Sequence, residues 1–143
     1  MALASASKEI AASQDKVWAI IADPSRNAEW NTLHDKWKSA APTVIAQGDK
    51  MSEVVSIMGM PNTIIWDVVE YDAPNTFTIS GTGMANAKVS FTMSVEVKGD
   101  SSIAKIDAEF ISQMMVGAIG KAIERTASKE LEASLNKLAE LLA

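Results

Sequence analysis

The chain has 143 residues, 48% of them hydrophobic and 22% charged, and it carries a formal net charge of −5 at pH 7. This size and composition are typical of one soluble globular domain, and we expect a single domain over residues 1–143. The 13 Lys and Arg residues are spread along an acidic chain, which argues against nucleic-acid binding because phosphate contacts need clustered cations. Neither a membrane span nor a signal peptide is recognisable, so we expect a cytoplasmic protein.

The chain has no cysteine and one histidine, His34. Disulfides, thiolate metal ligands and thiol nucleophiles are therefore excluded, and a single histidine without cysteine does not support a zinc site. No Ser-His-Asp, phosphate-loop or metal-ligand spacing is present either. The sequence predicts a protein without metal or cofactor.

The first third of the chain carries both strand and helix signals. Residues 5–11 are partly alternating and predict a first strand. Ser13 and Asp23 are good helix N-caps and Pro24 is tolerated at a first helical position, so short helices are predicted at residues 14–22 and 24–30. Residues 33–38 fit either a loop or an edge strand.

After Gly48 apolar and polar residues alternate with the period of two that is typical of strands. The alternation is clearest where Val89, Phe91 and Met93 are separated by Ser90 and Thr92. Predicted strands cover residues 51–58, 63–71, 76–81, 87–98 and 103–111, with turns at residues 59–62 and 72–75.

Residues 114–143 have apolar side chains at helical spacing and predict one long amphipathic helix. Such a helix would be roughly 40 Å long and needs a broad partner, which the strands supply. The sequence therefore predicts an α+β fold with this helix on one face of a curved antiparallel sheet. The space where sheet and helix splay apart would be apolar, and such a space is a ligand pocket by default.

Short segments spread over nearly the whole chain carry a family resemblance. They are residues 12–23, Glu29-Trp30, Gln47-Gly48, Trp66-Asp-Val68 and Tyr71-Asp-Ala-Pro74. Together with the order of elements, they make the chain similar to the START-like (SRPBCC) superfamily, of the polyketide cyclase/dehydrase and lipid-transport type. Residues 34–39, Gly59-Met60 and Trp66 resemble a small actinobacterial branch of toxins from type II toxin-antitoxin pairs.

The resemblance implies a helix-grip (START/Bet v 1-like) fold, with a curved antiparallel sheet of six or seven strands wrapped around the C-terminal helix and two short helices after strand 1. It also implies a mostly apolar cavity for a lipid, a polyketide or an isoprenoid-like molecule. Carried onto this sequence by position, the ligand-binding residues would be Trp30, Trp37, Met51, Val55, Ile57, Ile64, Trp66, Val68, Phe77, Ile79, Phe91, Met93, Phe110, Met115 and Ile119.

Two polar residues are candidates for chemistry in such a cavity. Glu53 falls among apolar neighbours in the alternation of residues 51–58, where a buried carboxylate would serve as an acid, a base or a hydrogen-bond partner. A shifted register would instead turn Glu53 to solvent. His34 is a candidate acid/base or ligand contact because imidazole titrates nearest neutrality, and a structural or exposed histidine is the alternative.

Three functions remain open at this point. The first is the binding of a small hydrophobic molecule in the cavity. The second is a cyclase or dehydratase, that is, a lyase or isomerase in which Glu53 or His34 moves a proton. The third is a toxin that acts through a protein partner and is controlled by an antitoxin. A monomer and a homodimer are both compatible with the sequence.

Overall fold

The computed structural model describes residues 2–57, 59–83, 86–112 and 117–143. Its strands are β1 Ala2–Ile10, β2 His34–Trp37, β3 Lys50–Ile57, β4 Met60–Asp72, β5 Thr76–Thr82, β6 Lys88–Lys98 and β7 Ser101–Ile111. They form one seven-stranded sheet in the order β1-β7-β6-β5-β4-β3-β2, and every neighbouring pair is antiparallel. The short strand β2 and the longer β1 are therefore the two edges.

The helices are α1 Gln14–Ile21, a 3₁₀ turn Pro24–Arg26, α2 Asn27–Trp30 and α3 Gly117–Leu141. The Ser13 hydroxyl accepts from the Lys16 N–H at the start of α1, and the Asp23 carboxylate accepts from the Ser25 N–H at the start of the 3₁₀ turn. The two predicted short helices are thus confirmed. The second one is divided into a 3₁₀ turn and a single α-helical turn, with Pro24 at its start.

Helix α3 lies against β1 and α2, and its buried residues are Gly120, Ala127, Leu131, Ser134, Leu135 and Leu138. The Glu124 carboxylate accepts a hydrogen bond from the Leu3 N–H at 2.7 Å. The helix therefore satisfies one backbone donor on the edge strand β1. The predicted start of this helix near Met114 lies outside the described residues. Gly117 has a φ of 59°, a left-handed conformation that favours glycine. The backbone conformation therefore explains why a glycine occupies this position.

The predicted fold is confirmed: a curved antiparallel sheet, here with seven strands, grips one long C-terminal helix, and two short helices follow strand 1. The interior between them contains one hydrophobic cluster, in which the largest fully buried side chains include Trp30, Trp66 and Phe110. No helix in the described part of the chain is long and apolar enough to cross a membrane.

Two predictions of local structure are corrected. The turn predicted at residues 59–62 is shorter, because β4 already begins at Met60 and pairs Pro61 with Ser56 of β3. Pro61 is tolerated there because the described pairing of β4 with β5 begins only at Ile65, so no described residue of β5 pairs with the proline. The first strand begins at Ala2, where it pairs with Phe110, so β1 is longer than the predicted residues 5–11.

One glycine brings two strands unusually close beside the interior. A Cβ on Gly81 would lie 2.5 Å from Ile64 Cγ2 and 2.6 Å from the Ile65 carbonyl oxygen. Any larger residue at position 81 would push β5 away from β4 at the point where Gly81 pairs with Trp66. The sheet is therefore closely packed beside the site described next.

Candidate ligand-binding site

The central polar group of the interior is the carboxylate of Glu53, which is 3% exposed. The Trp66 indole N–H donates to its Oε1 at 2.9 Å, and the Asn27 amide donates to its Oε2 at 3.4 Å. A further hydrogen bond joins His34 Nδ1 and Glu53 Oε2, 2.5 Å apart. Three side chains from three different elements therefore converge on one buried carboxylate, which offsets part of the cost of removing it from water.

Strand pairing explains why Trp66 reaches Glu53. In β3 the residues Met51, Glu53 and Val55 all face the interior, as the alternation predicts. Trp66 is directly opposite Met51, and Glu53 is opposite Ile64, so Trp66 and Glu53 are diagonal neighbours on the same face. A long aromatic side chain spans this diagonal, and its N–H meets the carboxylate.

A bulge in β2 brings His34 to the same place. His34 pairs with Val55 and Trp37 pairs with Glu53, while the register shifts between them, which leaves Asp35 as the extra residue. Residues opposite each other on antiparallel strands face the same side, so both His34 and Trp37 point inward. The His34 side chain is only 4% exposed, and its ring lies 5.3 Å from that of Trp37.

The loop before β2 is fixed to α3. The Thr32 N–H donates to the Ser134 Oγ at 2.9 Å, and the Thr32 hydroxyl donates to the Glu130 carbonyl at 2.9 Å. The Leu33 N–H donates to the Asn31 side-chain oxygen at 3.0 Å. The residues leading into His34 are therefore held by the long helix, and the position of the imidazole depends on how α3 packs.

The 3₁₀ turn and α2 supply the other wall of the site. The Trp37 indole donates to the Pro24 carbonyl at 2.9 Å, which ties β2 to the turn. Arg26 binds Glu29 through two hydrogen bonds of 2.8 and 2.9 Å on either side of Asn27. The hydrogen bond from Arg26 lowers the pKa of the exposed Glu29 carboxyl, and the one to Glu29 raises the pKa of Arg26. This ion pair joins the residues that flank Asn27, which reaches Glu53 from the same turn.

An apolar pocket lies beside this network. Its lining residues are Ile21, Ala22, Pro24, Asn27, Trp37, Ile45, Met51, Phe77, Ile79 and Met93. Its free volume is about 20 Å³, room for roughly one water molecule, whereas sites for drug-sized ligands hold about 300–1,000 Å³. The side chains of the protein therefore nearly fill this pocket. No described residue of α3 lines it, so the pocket lies between the sheet and the short helices.

The predicted site residues fall into several groups. Five line the pocket, namely Trp37, Met51, Phe77, Ile79 and Met93. Seven are buried in the same cluster without lining the pocket, namely Trp30, Val55, Ile64, Trp66, Val68, Phe91 and Phe110. Ile119 lies elsewhere, 59% exposed on the first turns of α3. Ile57 ends β3 and its side chain lies outside the described part, as does the whole of Met115.

The two polar candidates, Glu53 and His34, are in direct contact, so the structure places the Glu53 side chain inside and not toward solvent. Asn27 and Ile45 were missed by the sequence analysis. Asn27 precedes Trp30 by three residues, a spacing that puts both on one side of a helical turn. Ile45 follows Val44 in a loop whose other residues are small or polar, which is a weak signal for a buried residue.

Trp30 differs from Trp37 and Trp66 in its hydrogen bonding. It is 1% exposed, and its indole N–H has no acceptor among the described residues. The N–H groups of Trp37 and Trp66 are both accepted by protein oxygens. No cluster of three or more His, Asp or Glu side chains in the described ranges is placed to hold a metal ion. The expectation of no cofactor stays a prediction.

A seven-stranded antiparallel sheet that grips a long C-terminal helix over an apolar interior defines a START-like, helix-grip protein. The family model for polyketide cyclase/dehydrase and lipid transport matches residues 1–143, and the chain belongs to this family. It is 29% identical over 143 residues to a Mycobacterium tuberculosis protein named Toxin Rv0910, an alignment that covers 100% of this chain and 99% of that protein.

Solved structures agree with this assignment at the level of the fold. Protein CV1439 from Chromobacterium violaceum matches with a TM-score of 0.72 at 14% identity, over 99% of this chain and 97% of that one. A START superfamily protein from Mycobacterium smegmatis matches with a TM-score of 0.69 at 18% identity, over 99% of both chains. At these identities the likeness shows the fold alone.

Proposed function

We propose that this protein binds one small, mostly apolar molecule in the pocket beside Glu53, and that the polar network orients one polar group of that molecule. The observation that carries the proposal is the shared wall of the two features. Asn27 and Trp37 line the pocket, while Asn27 also donates to Glu53 and Trp37 also packs against His34. A ligand in the pocket would therefore lie within reach of the network.

The energetics favour an orienting role for the network over a stabilising one. A buried carboxylate is costly even when it accepts hydrogen bonds, and an apolar residue of similar shape is often at least as stable. A ligand gains most of its affinity from apolar burial, at about 0.3 kcal/mol per heavy atom for drug-sized molecules. About 27 heavy atoms would then give micromolar affinity, and the network would supply selectivity among such ligands.

The ligand must displace side chains to bind, because the free volume is now about 20 Å³. Met51 and Met93 suit this requirement, since unbranched thioethers repack at low cost. Phe77 and Ile79 lie on β5, where Phe77 pairs directly with Met93, and they give the pocket a stiffer surface beside this methionine. We expect a flat or flexible hydrophobe, such as a fatty acid, an isoprenoid or an aromatic polyketide.

The test is native mass spectrometry of the purified protein, followed by tryptophan-fluorescence titration with those three ligand classes. Met93→Gln puts an amide into the pocket wall, and we expect it to weaken binding at least tenfold. Met60→Gln is the matched control, because Met60 is 65% exposed on β4 and its substitution should leave affinity unchanged. Equal affinity for both variants, or no ligand for the parent chain, would refute the proposal.

A toxin function is the second candidate, and it rests on the relative named Toxin Rv0910, which aligns over the whole chain. On this hypothesis the protein arrests growth through a protein partner and is neutralised by an antitoxin. Controlled expression in an actinobacterial host should then stop growth, and co-expression of the neighbouring gene should restore it. Normal growth at high expression would count against the hypothesis.

An acid/base enzyme is the third candidate, and it rests on the contact between His34 Nδ1 and Glu53 Oε2. The carboxylate would orient the imidazole, and Nε2 would then move a proton during cyclisation or dehydration of a bound molecule. Glu53→Gln and His34→Ala should abolish turnover of such a substrate while leaving its affinity nearly intact. Turnover that survives both substitutions would exclude this reading.

A further inference from the structure

The connection between β2 and β3 runs over residues 38–49 without helix or strand. Ile45 is its one buried residue, 2% exposed, whereas the adjacent Val44 is 74% exposed. Ile45 lines the pocket beside Glu53. A single apolar side chain therefore attaches this long connection to the interior.

Both ends of the connection are tied to the sheet. The Lys38 N–H donates to the Ser52 carbonyl at 2.8 Å at one end. The Gly48 N–H donates to the Val68 carbonyl at 2.8 Å, and the Val68 N–H donates to the Asp49 carbonyl at 2.9 Å, at the other end. Between these anchors, residues 40–45 make no backbone hydrogen bond to any described residue. Lifting this part would break no backbone hydrogen bond between described residues, and it would expose one fully buried side chain, Ile45, together with the half-buried Ala41 and Pro42.

The same segment separates two spaces. The outer face of Thr43 and Val44 borders a surface depression of about 260 Å³, whose other lining residues are Trp18, Ala19, Ala22, Asp23 and Tyr71. Ile45 borders the inner pocket of about 20 Å³. Ala22 belongs to both linings, so the two spaces lie on either side of one wall. That wall is formed in part by residues 43–45.

We propose that residues 40–45 are a gate, and that withdrawal of Ile45 joins the surface depression to the inner pocket as one ligand site. Its use for ligand entry rests on the proposed binding function. The occupant is an elongated apolar molecule, because the joined space is bordered by the rings of Trp18 and Tyr71 outside and by Phe77 and Met93 inside. The gate is closed in the free protein and opens in about 0.1–10% of molecules, the range of an ordinary minor conformation.

The absence of cysteine allows a direct test, because each substitution gives one thiol. Three variants are labelled with a thiol reagent in native buffer and in urea concentrations below the unfolding transition. Ile45→Cys reports the gate and Val44→Cys reports an exposed site. Ala104→Cys is the core control, since Ala104 is 0% exposed and pairs with both β1 and β6.

We expect Ile45→Cys to react 10- to 1,000-fold more slowly than Val44→Cys, at a rate that does not depend on urea. Ala104→Cys should react only as urea promotes global unfolding. The gate is overturned if Ile45→Cys follows the urea dependence of Ala104→Cys, or if it reacts as fast as Val44→Cys. It is also overturned if Ile45→Cys does not fold, because a removable side chain cannot be essential for folding.

A second arm adds a saturating hydrophobe from the titration. The ligand and a closed gate compete for the same space, so labelling of Ile45→Cys should rise towards the rate of Val44→Cys. If a ligand binds but leaves the labelling rate of Ile45→Cys unchanged, the gate proposal is wrong and the proposed binding function still holds. Urea-independent labelling of Ile45→Cys in a protein that binds none of the ligands would sustain the gate motion and refute the binding function.

Discussion

The rings of His34 and Trp37 lie 5.3 Å apart on the inner side of β2, although residues three apart on a regular strand face opposite sides. The bulge at Asp35 causes this arrangement by adding one residue between them. Both side chains then reach the network around Glu53, one through a hydrogen bond and the other by packing. A local irregularity of the edge strand thus builds one wall of the site.

Deleting Asp35 should restore regular alternation and force either His34 or Trp37 out of the interior. We expect a loss of about 2–3 kcal/mol in the free energy of unfolding, the value of burying one large side chain. Asp35→Ala, which keeps the bulge and changes only an exposed side chain, should stay within about 0.5 kcal/mol of the parent chain. Chemical denaturation measures both variants, and equal stabilities would show that the bulge is dispensable.

His34 and Glu53 should be energetically coupled. His34→Phe keeps a ring without N–H groups, and Glu53→Gln keeps the side-chain shape without the charge. The two single losses in unfolding free energy should exceed the loss in the double variant by about 0.5–3 kcal/mol, as for residues in direct contact. Additive losses would mean that the contact contributes nothing to stability. Glu53→Gln also serves the turnover test, so its structural and chemical effects are measured on one variant.

The two most deeply buried tryptophans should respond differently to the same substitution. Trp66→Phe leaves Glu53 Oε1 without its indole donor, whereas Trp30→Phe removes an N–H that has no acceptor among the described residues. Both lose comparable apolar area, so Trp66→Phe should be more destabilising by about 1–3 kcal/mol. Denaturant titration of the pair measures the difference. A larger loss for Trp30→Phe would point to an acceptor contributed by the remaining residues or by a bound molecule.

The exposed ion pair between Arg26 and Glu29 should be detectable in a pH titration. Arg26 lowers the pKa of Glu29, so the pair stabilises the folded state at pH values above the ordinary pKa of a glutamate. This contribution is lost as the pH falls through the lowered pKa of Glu29. Arg26→Gln should raise the pKa of Glu29 towards its ordinary value, as followed by the NMR shift of its carboxyl carbon. Lys98→Gln, which breaks the separate pair with Glu9, should leave Glu29 unchanged.

The sequence predicted which face of each strand is buried better than it predicted where the strands begin and end. Alternation placed Glu53 in one row with Met51 and Val55, and all three are buried. Pro61 falls in the predicted turn at residues 59–62, yet it lies within β4, whose described pairing with β5 begins only at Ile65. Residues 33–38 carried no decisive signal, since a four-residue edge strand with a bulge has no regular period.

The sequence by itself determined the fold, because the period of two in the strands and the helical spacing in α3 state locally which face of each element is buried. The tertiary structure decided the site. The partners of Glu53 are 26, 19 and 13 residues away, and they meet only through the strand register, the bulge at Asp35 and the packing of α2. The insertion of Ile45 is equally non-local, since it depends on the space left between the short helices and the sheet.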